Sequence, residues 1–202
     1  MSKHLPPTEK NYNIKKSIDK LDLNSSLNVM VNDNNFIITA LKESIDDIEA
    51  AIEKIYQKLN DNYQSRLIYV GAGTSGRIGV QDGVELYPTF GWPKKRVGFV
   101  IAGGKNALLE SIEGVEDDIT KAKIDSKKIK INKNDVLLAL AASGNTPFTN
   151  EVISIAKDLN ALTIAISNNP NGIILEKADY KILLNTGPEV LTGSTRLKAG
   201  TA

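Results

Sequence analysis

Five short apolar runs constrain this chain more than any other feature. Leu67 to Val70, Val97 to Ile101, Val136 to Ala142, Leu162 to Ile166 and Tyr180 to Leu184 are continuous rather than alternating, the pattern of strands covered on both faces. Helix-length segments separate them, Gly76 to Leu86, Asn106 to Ala122, Pro147 to Asn160 and Gly172 to Ala178. Strand and helix in turn predict a three-layer α/β domain around a five-stranded, mainly parallel sheet. Ahead of it, Ile38, Leu41, Ile45, Ile48, Ile52, Ile55 and Leu59 recur at steps of three or four and predict one helix from Phe36 to Leu59. Residues 1–35 are polar and lack periodicity, so an extended arm or loosely docked helical lead-in is expected there. The expected division is an N-terminal arm and helix over 1–59 and the α/β domain over 60–202.

Composition narrows the chemistry. The chain has no cysteine, which excludes disulfides and thiolate metal sites, and its one histidine, His4, lies in the polar N-terminal stretch, which removes histidine triads. No metal is expected. The 25 basic and 24 acidic residues leave a net charge of +1, too little to draw in a polyanion, so nucleic acid is not an expected partner. Lys127, Lys128 and Lys130 carry no interleaved aromatic residue and read as a solvated helix end. No apolar run approaches the roughly 20 residues a membrane span requires, and the N-terminus has no apolar signal core, so a cytoplasmic protein is expected.

Two strand ends carry the same kind of turn. Tyr69-Val70 runs into Gly71-Ala72-Gly73-Thr74-Ser75-Gly76, and Ala141-Ala142 runs into Ser143-Gly144-Asn145-Thr146-Pro147. Glycines let backbone approach a ligand, hydroxyls add hydrogen bonds, and the following helix presents unpaired N–H groups and the positive end of its dipole. An anion such as a phosphate fits both turns. The first also satisfies G-x-G-x-x-G, but a dinucleotide site needs an acidic residue at the end of the second strand, and there the sequence reads Ala102-Gly103-Gly104. A Walker A loop is absent, because Arg77 follows Gly76. Two tight turns without a ligand remain the plain alternative.

Proton transfer falls to acids, Lys or Tyr. Glu85 precedes the breaker-rich Tyr87-Pro88-Thr89-Phe90-Gly91, where its helix is expected to end. In Glu113-Gly114-Val115-Glu116-Asp117-Asp118, Glu113 and Glu116 would share one helix face while Asp117 and Asp118 turn away. A solvated helix face is the ordinary explanation for any one of them. Gly187 to Ala202 gathers glycines, hydroxyls and the cations Arg196 and Lys198, suited to an anion or to sugar hydroxyls, or equally to a capped helix start.

Arg66 to Gly79, Asp82, Glu85, Pro88 to Gly91, Ile101 to Gly104, Glu113 to Asp118, Ala141 to Pro147 and Gly187 to Ala202 closely resemble the N-acetylmuramic acid 6-phosphate etherases of the sugar isomerase (SIS) domain superfamily, which also holds the glucokinase regulatory protein. The resemblance implies a SIS domain and loss of D-lactate from the C3 ether of a sugar 6-phosphate by elimination and hydration, without a cofactor and in a homodimer. It puts the catalytic acid at Glu85 and a second catalytic glutamate at Glu116. Gly73, Thr74 and Ser75 of the first turn and Ser143, Gly144, Asn145 and Thr146 of the second would hold the phosphate. Glu189, Ser194, Arg196 and Lys198 would lie on the substrate or dimer side. Asn145 stands where the etherases commonly have arginine, and Gln81, Gly83, Leu86 and Asn168 also depart from their pattern. An unbroken helix would carry Glu85 about 15 Å from Ser75, so either the helix breaks near Gly83 or Glu85 serves a site completed by a second subunit. A non-catalytic sugar-phosphate regulator and an inactive shortened etherase are the rival readings.

Overall fold

The computed structural model describes residues 7–12, 17–193 and 195–202; His4 and Ser194 lie outside them. The five apolar runs form β1 (Leu67–Gly71), β2 (Val97–Ile101), β3 (Val136–Leu140), β4 (Leu162–Ser167) and β5 (Tyr180–Leu183), in the order β2-β1-β3-β4-β5. Every pairing among them is parallel, with Leu67 opposite Val97 on one side and Val136 on the other. From β1 the chain winds outward to β2, and from β3 it winds the other way to β4 and β5. The reversal falls between β1 and β3.

Parallel strands bury both faces, and the residues divide accordingly. Ile68, Val70, Val100, Leu137 and Ala139 face α5 (Ile119–Ile129), α6 (Pro147–Asp158) and α7 (Ile173–Lys177), in a core that includes Phe148, Val152, Ile153 and Ile174. Leu67, Val136, Leu138, Ile164 and Ile182 meet Ile48, Ala51, Ile55 and Leu59 of α3 (Ile45–Asp61). A side chain of this size contributes about 1.5–3 kcal/mol when fully buried, so the helix most evident from periodicity forms one outer layer of the sheet.

That helix is nonetheless not continuous from Phe36. It breaks at Ser44, which separates α2 (Asn35–Glu43) from α3 and donates its hydroxyl to the Ala40 and Leu183 carbonyls. Part of the N-terminal arm is also helical: α1 (Leu23–Asp33) starts at Asp22, whose carboxylate accepts the Ser25 N–H at 2.9 Å. Leu23, Leu27 and Val31 recur at steps of four along α1, a short helical spacing that the sequence reading missed, and they stand exposed. Segment 106–122, expected as one helix, forms short 3-10 turns at Asn106–Leu108 and Val115–Asp117 before α5 begins, with Asp118 capping α5 through the Lys121 N–H.

Helix α4 runs from Gly73 to Phe90, through Gly83 and with Pro88 in its last turn. The Gly91 N–H closes it on the Tyr87 carbonyl. The helix thus ends within the breaker-rich segment as expected, but four residues past Leu86; the proline removes one hydrogen bond at an exposed helix end, where that loss is tolerated. Gly83 lets α4 lie close on the sheet, since a Cβ there would stand 2.6 Å from Phe99 Cε1 and 2.8 Å from Tyr69 Cε2. Gly83→Ala is predicted to lower stability by about 1–3 kcal/mol through overpacking, read as a fall in the urea midpoint with an unchanged slope.

Candidate functional site

Helices α4 and α6 leave the carboxyl ends of the adjacent strands β1 and β3, and neither first turn is capped by a side chain. Ala72 and Thr146 hold the N-cap positions, and Pro147 opens α6. Two sets of unpaired N–H groups and two positive dipole ends therefore stand side by side where the strand order reverses, the place at which open parallel sheets bind ligands.

A cleft of about 430 Å³ opens beside the first of these turns. Gly73 and Thr74 form one wall, Glu113 and Glu116 the other, and Arg196 reaches it from the chain's last loop. Arg77 shapes the wall: its guanidinium donates to the Ala107 and Glu110 carbonyls at 2.9 and 2.8 Å, tying segment 106–110 to α4. Val115 packs against the core while its neighbour Glu116 stays exposed. Glu113 and Glu116 share this cleft without sharing a helix, because Glu116 sits on the 3-10 turn and Glu113 in the loop before it. Arg77 was legible only as the first cation inside the helix after the glycine turn; its partners are about thirty residues distant in sequence.

A somewhat larger cleft, about 470 Å³, lies at the other end of the sheet, among Lys54, Lys58, Asp61, Lys157 and Asp179. It stands at the amino end of β4, beside Leu162. No strand there runs into a helix N-terminus, so the cleft beside Thr74 is the stronger candidate for an anion.

The second turn does not line the 430 Å³ cleft. Its groups bind the turn after β4: Asn169 Nδ2 donates to the Ser143 carbonyl at 2.8 Å, and Asn145 Oδ1 accepts the Ile173 N–H at 3.1 Å. Gly144, at φ +70°, lies so close that a Cβ would stand 2.4 Å from Gly172 Cα. Ser75 borders a smaller cavity of about 170 Å³ with Ala141, Ala142 and Asn168. That cavity lies at the carboxyl ends of β3 and β4 and is closed by residues 199–202; no residue of the second turn lines it.

Glu85 is exposed on the far half of α4 and is not part of either cavity. Tyr69 fixes this half by donating its hydroxyl to Asp82, and burial together with the Asp82 carboxylate pushes the phenol well above its usual range. The twelve helical steps from Gly73 to Glu85 span about 18 Å of continuous helix. One small sugar cannot touch Thr74 and Glu85 of the same chain.

Of the other predicted residues of the last segment, Glu189 and Lys198 are engaged with the chain itself. Lys198 opens α8 (Lys198–Thr201); it is 2 % exposed and its Nζ lies 2.7 Å from Asp33 Oδ1 at the end of α1. Glu189 is fully buried and accepts the Ala199 N–H at 3.2 Å through Oε1, while Oε2 has no partner among the described residues. Burial pushes the Glu189 carboxyl up, against the opposing pull of the backbone N–H groups at the start of α8 and of the Lys198 ammonium.

Residues 47–157 match the glucokinase regulatory protein N-terminal SIS domain. An N-acetylmuramic acid 6-phosphate etherase of Geobacillus thermodenitrificans is 40 % identical over 202 residues, covering 100 % of this chain and 68 % of its own. The chain belongs to the N-acetylmuramic acid 6-phosphate etherase family. An etherase of Psychromonas ingrahamii is 43 % identical over 185 residues, covering 92 % of this chain and 61 % of its own length, so the chain spans less than two thirds of that relative. Among solved structures, a phosphoheptose isomerase from Francisella tularensis superposes with a TM-score of 0.59 at 20 % identity over 84 % of this chain and 86 % of that one, a likeness of fold.

The etherase signature at the chain's end carries a pH dependence. A carboxyl whose folded pKa is raised binds its proton more tightly in the folded state. Its contribution is therefore full in acid and is lost as pH rises from the ordinary value of 4.5 through the raised one. Glu189→Gln keeps an oxygen for the Ala199 N–H and removes the buried charge. The variant is predicted to lose less thermal stability than the wild type between pH 4 and 8, read as the slope of the melting midpoint against pH.

Proposed function

We propose that this protein cleaves the C3 D-lactyl ether of N-acetylmuramic acid 6-phosphate, giving N-acetylglucosamine 6-phosphate and D-lactate; its relatives are named N-acetylmuramic acid 6-phosphate etherases. The observation that carries the reading is one cleft in which a carboxylate, Glu116, and a cation, Arg196, meet the uncapped helix start at Gly73 and Thr74. The helix start, the Thr74 hydroxyl and Arg196 suit a phosphate dianion. Ser75 and the turn from Ser143 to Thr146 extend the phosphate-binding rim on the neighbouring strand end.

The chemistry requires a base for the C2 proton and an acid for the departing ether oxygen. With the sugar open, the C2 proton lies next to the C1 aldehyde; its removal expels lactate from C3, and the lactate oxygen takes a proton from the acid. Water then adds at C3 and a proton returns to C2, so the net reaction consumes one water. Glu116 takes the role of base and Glu85 that of acid.

Because Glu85 lies about 18 Å along α4 from the phosphate turn, it acts in the cleft of a second copy in a homodimer. The apolar residues around it support this reading: Val84, Tyr87 and Phe90 are 51 %, 51 % and 75 % exposed, a cluster suited to burial against another chain. The proposal includes a cytoplasmic location; no described helix is long and apolar enough to cross a membrane. The match to a regulatory protein's SIS domain supports a second reading, a sugar-phosphate sensor without catalysis.

Purified protein incubated with the substrate should release D-lactate, and Glu85→Gln and Glu116→Gln should each lower the rate by about 10²–10⁴. Mixing and re-equilibrating the two inactive variants should restore roughly a quarter of wild-type activity, since half the dimers are mixed and each carries one intact site. No lactate from a folded protein that binds the sugar phosphate leaves the sensor reading. Failure of the mixture to regain activity rejects the shared site.

A further inference from the structure

Arg196, unlike Gly73 and Thr74 across the cleft, belongs to no strand or long helix. It sits in the loop between β5 and the short α8, and Leu191, Thr192 and Gly193 at that loop's turn are exposed. An exposed loop of this kind does not by itself hold a guanidinium at a fixed point over a cleft. Two buried contacts close its base. Glu189 at one end accepts the Ala199 N–H at the other, and Lys198, two residues after Arg196, reaches Asp33 at 2.7 Å.

The second contact is unusual in its depth. The Lys198 and Asp33 side chains are 2 % and 4 % exposed. The ammonium lies 4.6 Å from the centre of the Phe36 ring and 5.2 Å from that of Tyr12, an arrangement that offsets part of its desolvation. Tyr12 lies against the same carboxylate; burial first, and then Asp33, push its phenol up to about 12. A buried ion pair is weak support for overall stability, because desolvation cancels much of the attraction. What it does supply is a fixed geometry. Asp33 terminates α1, and no residue of α1 lines the cleft, so a carboxylate of the N-terminal segment determines where the last loop of the chain rests.

Resting on the sugar-phosphate reading above, we propose that Asp33 is a positioning residue that acts through Lys198 to hold Arg196 over the cleft, setting affinity for the substrate's phosphate without touching it. The two glutamates do the chemistry. Asp33 and Lys198 determine whether the phosphate end of the sugar is gripped.

The test is a double-mutant cycle read by calorimetric binding of N-acetylglucosamine 6-phosphate to the full chain, with N-acetylglucosamine as the unphosphorylated control. Arg196→Ala should weaken the phosphorylated sugar by about 10- to 100-fold, the range of a charge-assisted contact. Asp33→Asn should weaken it by about tenfold in the wild-type background and by less than twofold when Arg196 is already alanine, because the two act as one unit. Asp33→Asn leaves the Lys198 charge buried and unpaired, which can prevent folding. Asp33→Glu keeps the charge while moving the anchor by one methylene, and should give the same Arg196-dependent loss at a melting temperature close to that of the wild type. Wild-type affinity in whichever variant folds overturns the proposal, as does an equal loss in the Arg196→Ala background, which a merely structural role would produce. A wild type that binds neither sugar overturns the sugar-phosphate reading and the positioning role together; a wild type that binds, with Asp33 variants that bind equally, overturns only the latter.

Discussion

The parallel pairing of β1 with β3 is the contact on which the rest depends. From that seam the chain winds in opposite directions, so the helices following the two strands start side by side with their N–H groups unpaired. Had β1 and β3 been separated by another strand, the glycine turns at Gly71 and Ser143 would lie about 10 Å apart or more and could not border one small ligand. The seam is anchored at its other end by Arg66, whose guanidinium holds the buried Asp135 carboxylate at 2.7 Å and caps the Ile129 carbonyl at the end of α5. Arg96 works similarly at the edge of the sheet: buried between the Tyr63 and Trp92 rings, it donates to carbonyls at the end of α3 and to Ser65, where a helix C-terminus favours a cation.

Charge in this protein therefore does two kinds of work. Arg66, Arg77, Arg96 and Lys198 join segments remote in sequence, mostly through backbone carbonyls or one buried carboxylate. Arg196, by contrast, forms no ion pair among the described residues and faces the cleft with Glu116. On the proposed reading, an anion entering the cleft meets a cation without an ion-pair partner among the described residues, next to a helix start without a side-chain cap. Both conditions strengthen binding, since neither group must give up an internal partner first.

Much of this was legible from residues alone. The five apolar runs marked all five strands to within two residues, because parallel strands covered by helices on both faces are almost wholly apolar, interrupted here by Thr163 and by Lys181 of the edge strand β5. The glycine turns were visible because close approach demands glycine, and the family resemblance pointed at Glu85 and Glu116. The helices were less legible. A stripe from Ile38 to Leu59 gave no sign of the break at Ser44, whose hydroxyl partner at Leu183 is 139 residues distant. The segment from Tyr87 to Gly91 does end its helix, but at Gly91 rather than before Pro88, because a helix end in solvent tolerates the proline. Segment 106–122 carried helical spacing but is divided by Gly114 and held by Arg77 from another helix.

The sequence by itself determined the layers, the glycine-rich turns and the types of residue available for acid–base work, because each follows from local periodicity or from the steric demands of single positions. Only the tertiary structure decided which of those residues share a cleft. It put Glu116 and Arg196 beside Thr74, sent Glu85 about 18 Å along a continuous helix, and turned Lys198 inward onto Asp33. The physical reason is that a cation's role depends on what neutralises it. For Lys198 that partner is Asp33, 165 residues earlier in the chain; Arg196, two residues before it, has no ion-pair partner among the described residues and lines the cleft instead.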